Sequence, residues 1–195
     1  VPYLMIDPKD LGRNYQAIIR INSQSGKGGV AFVLENEYGY QIPRLMHPEL
    51  GRMVYDLADT LSRELTPEEI LKAFLKEYSE PSSPLVVEDV KEVGRFSDTR
   101  EIELDISLTW KGEKKQLQGR GNGPINAFCN ALDKDGLKHF NLVSFSEHSL
   151  GSGSGTQAAA YVQLHRYDNG HHWGVGVNTD IELASLKALI SAINR

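Results

Sequence analysis

The sequence predicts an α+β protein in two parts. A small α/β segment covers residues 1–80, and a second domain over 85–195 consists of two βββα units, 85–136 and 140–195, forming a pseudo-twofold repeat. Three observations carry this expectation. Pro81-Ser82-Ser83-Pro84 interrupts a helical pattern, and the periodicity then changes to that of strands. Ile102, Leu104, Ile106, Leu108 and Trp110 alternate strictly with mostly polar residues, the signature of a strand buried on one face. The order of three strands and one amphipathic helix then appears twice.

The chain of 195 residues is long enough to bury a sizeable core, and its 40% hydrophobic and 24% charged content is that of an ordinary globular protein. A net charge of -5 with no long Lys/Arg run argues against a nucleic-acid surface. No apolar run approaches the ~20 residues of a membrane span, and no signal peptide is visible. The single cysteine, Cys129, excludes an internal disulfide and fits a reducing, cytoplasmic compartment; on its helix face it reads as core rather than nucleophile. The opening Val1-Pro2-Tyr3-Leu4, without an initiator Met, predicts a piece of a longer polypeptide.

Taken in order, Asp7 to Gly12 is turn chemistry, and Tyr15, Ala17, Ile19 and Ile21 alternate as in a strand. Asn22 to Gly29 reads as a flexible connection to a second strand, Val30 to Leu34. Its Gly26-Lys27-Gly28 is no phosphate loop, because no Ser or Thr follows the Lys and Ile21 stands where the first glycine belongs. Two helices follow. Leu50, Met53, Val54, Leu57 and Leu61 recur at helical spacing, and Thr66-Pro67-Glu68-Glu69 is a capping box opening a helix with Ile70, Phe74 and Leu75 on one face. Glu68, Glu69, Glu77 and Glu80 read as a solvated helix surface rather than acid–base pairs.

In the second part Leu85 to Phe96, Ile102 to Trp110 and a third strand ending near Gln118 precede the stretch GRGNGPINAFCNALDKDG. Gly121-Asn122-Gly123 predicts a tight turn and Pro124 a first helical residue; Ile125, Phe128, Cys129 and Leu132 mark one helical face, and Gly136 marks the stop. Exposed N–H groups and the helix dipole at such a corner favour an anion such as a carboxylate, although the same four residues also suit a plain turn. The second unit repeats the order: a strand from Phe140 to Leu150, the loop Gly151 to Gly155, a strand from Gln157 to Tyr167, the hairpin signal Asp168-Asn169-Gly170 and a strand from His172 to Val177. Thr179-Asp180-Ile181-Glu182 reads as another capping box, opening a helix marked by Leu183, Leu186, Ile190 and Ile193. Pairing of the units brings their two glycine-rich corners near each other.

Four segments, VPYLMIDPKDLGRNYQAIIRINSQSGKGG, GRGNGPINAF, SEHSLGSGSGTQAAAY and WGVGVNTDIELASLKALISAINR, resemble in order the C-terminal part of the long-form 2-isopropylmalate synthases, over essentially the entire chain. In that family a (β/α)8 barrel with a divalent metal joins acetyl-CoA to 2-oxoisovalerate, and a linker leads to a βββα-repeat regulatory domain that binds leucine as feedback inhibitor. The resemblance implies a linker-plus-regulatory segment, homodimeric and without catalytic competence of its own. It implies no cofactor here, the metal belonging to the absent barrel. It places the effector pocket at Gly123, Ile125, Asn126, Leu142, Phe145, Ser149, Thr156, Ala158 and Ile181, with the Gly121, Asn122 and Gly123 amides toward the effector's carboxylate. Each aliphatic residue taken singly also suits plain core packing.

Asn126, Ser149 and Thr156 are polar where leucine-regulated members carry small apolar residues. That keeps open two further readings, a related citramalate synthase answering isoleucine and a dimerisation module with a decayed effector site. The resemblance also implies that Tyr15 reaches toward a partner subunit's active site, although a strand tyrosine packed on a helix accounts for it equally. His148 is expected to pair with Glu147 or with backbone. The adjacent His171 and His172 point to opposite strand faces, unsuited to shared metal ligation, and His139 and His165 read as surface residues.

Overall fold

The computed structural model of the chain describes residues 26–151 and 153–195. The expected strand around Tyr15 lies outside them. The chain divides into two compact units at Lys76/Glu77.

In the unit ending at Lys76 the described elements are helical: α1 (Gly26–Tyr38), a 3-10 turn (Arg44–Met46), α2 (His47–Leu61) and α3 (Pro67–Tyr78, whose last two residues belong to the second unit). The strand expected over Val30 to Leu34 is therefore corrected to the middle of α1. A five-residue apolar run has no period of its own to separate strand from helix. The burial does: Val30, Ala31, Val33 and Leu34 are inside while Phe32 is 66% exposed, a helical rather than an alternating pattern. The glycines at 26, 28 and 29, expected in a connecting loop, form the first turn of this helix. α2 buries Leu50, Gly51, Val54 and Ala58. The capping box at Thr66 closes both ways, Thr66 Oγ1 accepting the Glu69 N–H at 3.2 Å and Glu69 Oε1 accepting the Thr66 N–H at 3.1 Å. Arg63 adds a two-pronged ion pair to Glu69 at 2.9 and 2.6 Å. It holds the Glu69 carboxyl down at about 2, helped by the Thr66 N–H.

The second unit contains β1 (Leu85–Phe96), β2 (Glu101–Trp110), β3 (Glu113–Gly121), α4 (Pro124–Lys134), β4 (Phe140–Ser149), β5 (Ala158–Arg166), β6 (Gly170–Asn178) and α5 (Ile181–Asn194). The strands form two antiparallel three-stranded sheets, β1-β2-β3 and β4-β5-β6, so two βββα units stand in sequence as expected. Ile102, Leu104, Ile106 and Leu108 on the inner face of β2 join Ala127, Phe128, Ala131 and Leu132 of α4. The same core continues through Ala158, Ala160, Val162 and Leu164 of β5 to Ala184, Ala188 and Ala192 of α5.

Each helix lies directly on the last strand of its sheet because that strand carries a Gly-x-Gly pair. A Cβ on Gly119 would stand 2.1 Å from the Ala127 carbonyl oxygen, and one on Gly174 2.1 Å from that of Ala188. Gly121 is thus the end of a strand packed under a helix, not the head of a free turn as its neighbours suggested; its missing Cβ leaves room for Asn126 and the Ala127 nitrogen.

The cap of α5 also differs by one position from the expected box. Asp180, not Thr179, is the N-cap: its Oδ1 accepts the Glu182 and Leu183 N–H groups at 2.8 and 3.4 Å, while Asn178 Oδ1 accepts the Asp180 N–H at 2.8 Å. A carboxylate at Ncap satisfies first-turn donors that the Thr179 hydroxyl would reach only with the helix started one residue earlier. Leu183, expected on the inner face, is exposed, and Ala184, Leu186, Ala188, Leu189, Ala192 and Ile193 face inward instead.

At its far end α5 holds the entry of the unit. Asn194 accepts the Leu85 N–H at 2.8 Å and donates to the Leu85 and Pro81 carbonyls, and Ser191 donates to the Tyr78 carbonyl. Arg195 pairs with Glu77 at 2.8 Å and stacks over the Tyr78 ring.

Candidate functional site

α4 begins without a side-chain cap. Its N-cap residue is Gly123, in extended backbone, and Pro124 is the first helical residue. The Gly123 carbonyl accepts the Ala127 N–H at 2.9 Å. The N–H groups of Ile125 and Asn126, ahead of Ala127, have no carbonyl within the helix to meet. Two amide side chains hold this corner in place. Asn126 Oδ1 accepts the Asn122 N–H at 3.0 Å, and Asn130 Nδ2 donates to the Arg120 carbonyl at 2.7 Å. Arg120 in turn lies over the Phe96 ring at 3.4 Å and beside Glu101.

An open cleft of about 680 Å³ lies against this corner. The corner and the first turn of α4 contribute Asn122, Gly123, Pro124, Ile125 and Asn126, with Cys129 and Asn130 one turn further on. β4 contributes Leu142, Phe145 and Glu147, the first turns of α5 contribute Ile181, Glu182 and Ser185, and Lys138 stands on the connection between α4 and β4. Strict alternation would send Leu142 and Phe145 to opposite faces. The register shift between Leu142 and Ser144 inserts an extra residue into β4, which brings both residues and Glu147 to the cleft. Leu142, Phe145 and Ile181 are 43%, 41% and 44% exposed, so the apolar wall stands open. Burial pushes the Cys129 thiol up to about 11, which leaves it neutral and unreactive at the edge of the cleft.

The cleft thus gathers Asn122, Gly123, Ile125, Asn126, Leu142, Phe145 and Ile181 from the residues singled out in the sequence. Four others lie elsewhere. Gly121 is buried under α4, Ser149 is exposed at the end of β4, Thr156 donates to the Gly153 carbonyl at 2.7 Å, and Ala158 belongs to the core. None of the described residues of the loop over 151–155 lines the cleft; the second boundary is the start of α5. Tyr15 falls outside the described residues. Lys138, Glu147, Glu182 and Ser185 were missed, and the only signal for Glu147 is its place two residues beyond Phe145 on one strand.

His148 pairs with Tyr161, Nε2 to Oη at 2.8 Å with the rings stacked, and its Nδ1 faces the Ser149 carbonyl. His165 and His171 form a cross-strand pair with ring centroids 4.8 Å apart, while His172 turns to the Asn169 carbonyl. Among the described residues no group of three His, Cys, Asp or Glu side chains is arranged to hold a metal ion, and no helix is long and apolar enough to cross a membrane.

The fold and the cleft define a class, a paired βββα domain with an open ligand-sized cavity between its two halves. A family model described as the LeuA allosteric (dimerisation) domain matches residues 64–195, and one described as alpha-isopropylmalate synthase, post-catalytic domain-like, matches residues 1–35. The chain belongs to the LeuA allosteric (dimerisation) domain family. Among similar proteins, the 2-isopropylmalate synthase of Clostridium acetobutylicum is 42% identical over 200 residues, covering all of this chain and 35% of that protein. Those of Desulfitobacterium hafniense and Mycobacterium leprae are 44% and 41% identical, again over the whole chain and over 34% and 32% of their own lengths. The chain thus spans about a third of the length of these relatives, and the resemblance read from its four segments is borne out.

Proposed function

We propose that this chain is the regulatory and dimer-forming part of a 2-isopropylmalate synthase and that its cleft takes leucine as feedback inhibitor. The observation that carries the reading is the cleft itself. An open apolar wall of Ile125, Leu142, Phe145 and Ile181 lines the same cleft as a helix start that no side chain caps. An aliphatic amino acid matches both ends, its side chain on the wall and its carboxylate at the first-turn N–H groups, where the helix dipole favours an anion. Burying the leucine side chain contributes about 1.5–3 kcal/mol. Micromolar binding requires about 8 kcal/mol, so the polar contacts supply much of the affinity.

The family description supports dimerisation and allosteric binding in general. The exposed Leu142, Val143 and Phe145 on the edge strand β4 suit burial against a second copy. On this reading condensation of acetyl-CoA with 2-oxoisovalerate belongs to a metal-dependent barrel elsewhere in the parent protein. The present chain is inactive alone and works in the cytoplasm. Of the three polar residues that kept other readings open, only Asn126 lines the cleft, and its side chain is engaged by the Asn122 N–H. This favours leucine over a decayed site.

Calorimetry and thermal melting with leucine and isoleucine test the proposal. Saturable leucine binding and a raised melting temperature are expected, because a ligand held only by the folded state stabilises it. Heat from isoleucine alone reverses the assignment in favour of the citramalate-synthase reading. No response to either at millimolar concentration, with the chain still dimeric, leaves a dimerisation module only.

A further inference from the structure

We propose that Glu147 reads the α-ammonium group of the effector and makes the cleft select an α-amino acid over the 2-oxo acid of the same carbon skeleton. This rests on the effector-site reading above. Glu147 lies on the cleft-facing side of β4, two residues past Phe145, so its carboxylate borders the apolar wall. Ser185 Oγ donates to its Oε2 at 3.4 Å. That hydroxyl has one proton to give and lies closer to the Ile181 carbonyl, at 2.9 Å. Among the described residues no cation pairs with Glu147. An acceptor-only group with up to four lone-pair sites therefore faces the cavity with little of its capacity used.

An ammonium group placed there lets the effector's side chain lie on Phe145, Leu142 and Ile181 while its carboxylate points away from β4. A 2-oxo acid sets a carbonyl oxygen against the carboxylate instead, two acceptors with no proton between them, and a partner mismatched in this way is rejected. Glu182, the other carboxylate in the cleft, is placed differently. It lies in the first turn of α5, where the positive end of its own helix already serves it.

The test titrates the 195-residue chain, Glu147→Gln and Glu182→Gln with leucine and with 4-methyl-2-oxopentanoate by calorimetry, with unliganded melting temperatures as the fold control. The wild-type chain is expected to prefer leucine by about 30-fold or more, the range carried by a hydrogen bond to a charged group. Glu147→Gln is expected to lose about 10-fold or more for leucine while holding or gaining affinity for the oxo acid. Glu182→Gln removes the same charge from the cleft and is expected to change the ratio by less than Glu147→Gln does. The inference is overturned if Glu147→Gln preserves the ratio, or if Glu182→Gln collapses it equally. If the wild-type chain binds neither leucine nor isoleucine, the effector-site reading falls too; leucine binding that survives Glu147→Gln unchanged sinks this inference alone.

Discussion

The two βββα halves are built alike up to the point where the third strand hands over to the helix, and there they part. Gly119 and Gly121 seat α4 on its sheet as Gly174 and Gly176 seat α5, with a helix backbone or Ala Cβ within 2.6 Å of where each missing Cβ would stand. α5 is then closed by the Asp180 carboxylate, whereas α4 opens on Gly123 and Pro124 with no side chain over its first N–H groups. The shared part is scaffold, and the cleft opens beside the half that departs from it.

Alanine at the seating glycines gives the largest way to break this parallel. Gly119→Ala and Gly174→Ala each push a Cβ into a backbone oxygen, and each should cost about 3 kcal/mol or more, or abolish folding. Gly151→Ala, with open space around it, should stay within about 0.5 kcal/mol. Urea unfolding measures all three, and a mild effect at either seating position would dissolve the equivalence.

The caps sharpen the contrast at smaller cost. Asp180→Ala should destabilise by about 1 kcal/mol. Gly123→Asp copies the second half's cap onto the first and should stabilise by a few tenths of a kcal/mol. It should also weaken leucine binding about 10-fold, because the new carboxylate takes the donors the effector needs. Unchanged leucine affinity in that variant would mean the uncapped end plays no part.

The smallest effect lies in the helical unit. The Glu69 carboxyl is held from its ordinary 4.5 down to about 2 by Arg63 and the Thr66 N–H. A depressed carboxyl contributes stability that is present above about pH 4.5 and lost as pH falls toward 2. Melting temperature against pH should show that decline in the wild-type chain, and a shallower one in Glu69→Gln.

What the sequence made legible was local. The alternation through Ile102 to Leu108, the Thr66 capping box and the Asp168-Asn169-Gly170 hairpin are each set by near neighbours, and each forms as read. Val30 to Leu34 was misread because its burial is set by packing on other helices. The face shared by Leu142 and Phe145 depends on a bulge with no signature in the residues themselves. Ile125 and Ile181 reach one cleft only after the two halves pack, and resemblance, not spacing, connected them. Lys138, Glu147 and Ser185 carried no local pattern, so their nearness to that wall became visible only in three dimensions.

The last helix has one further consequence. Its first turns border the cleft, and its final residues, Ser191 to Arg195, grip the backbone between Tyr78 and Leu85. A helix of 14 residues is a stiff rod about 21 Å long. Because Gly174 and Gly176 also seat it on β6, the start that borders the cleft and the end that holds the entry backbone belong to one rigid element.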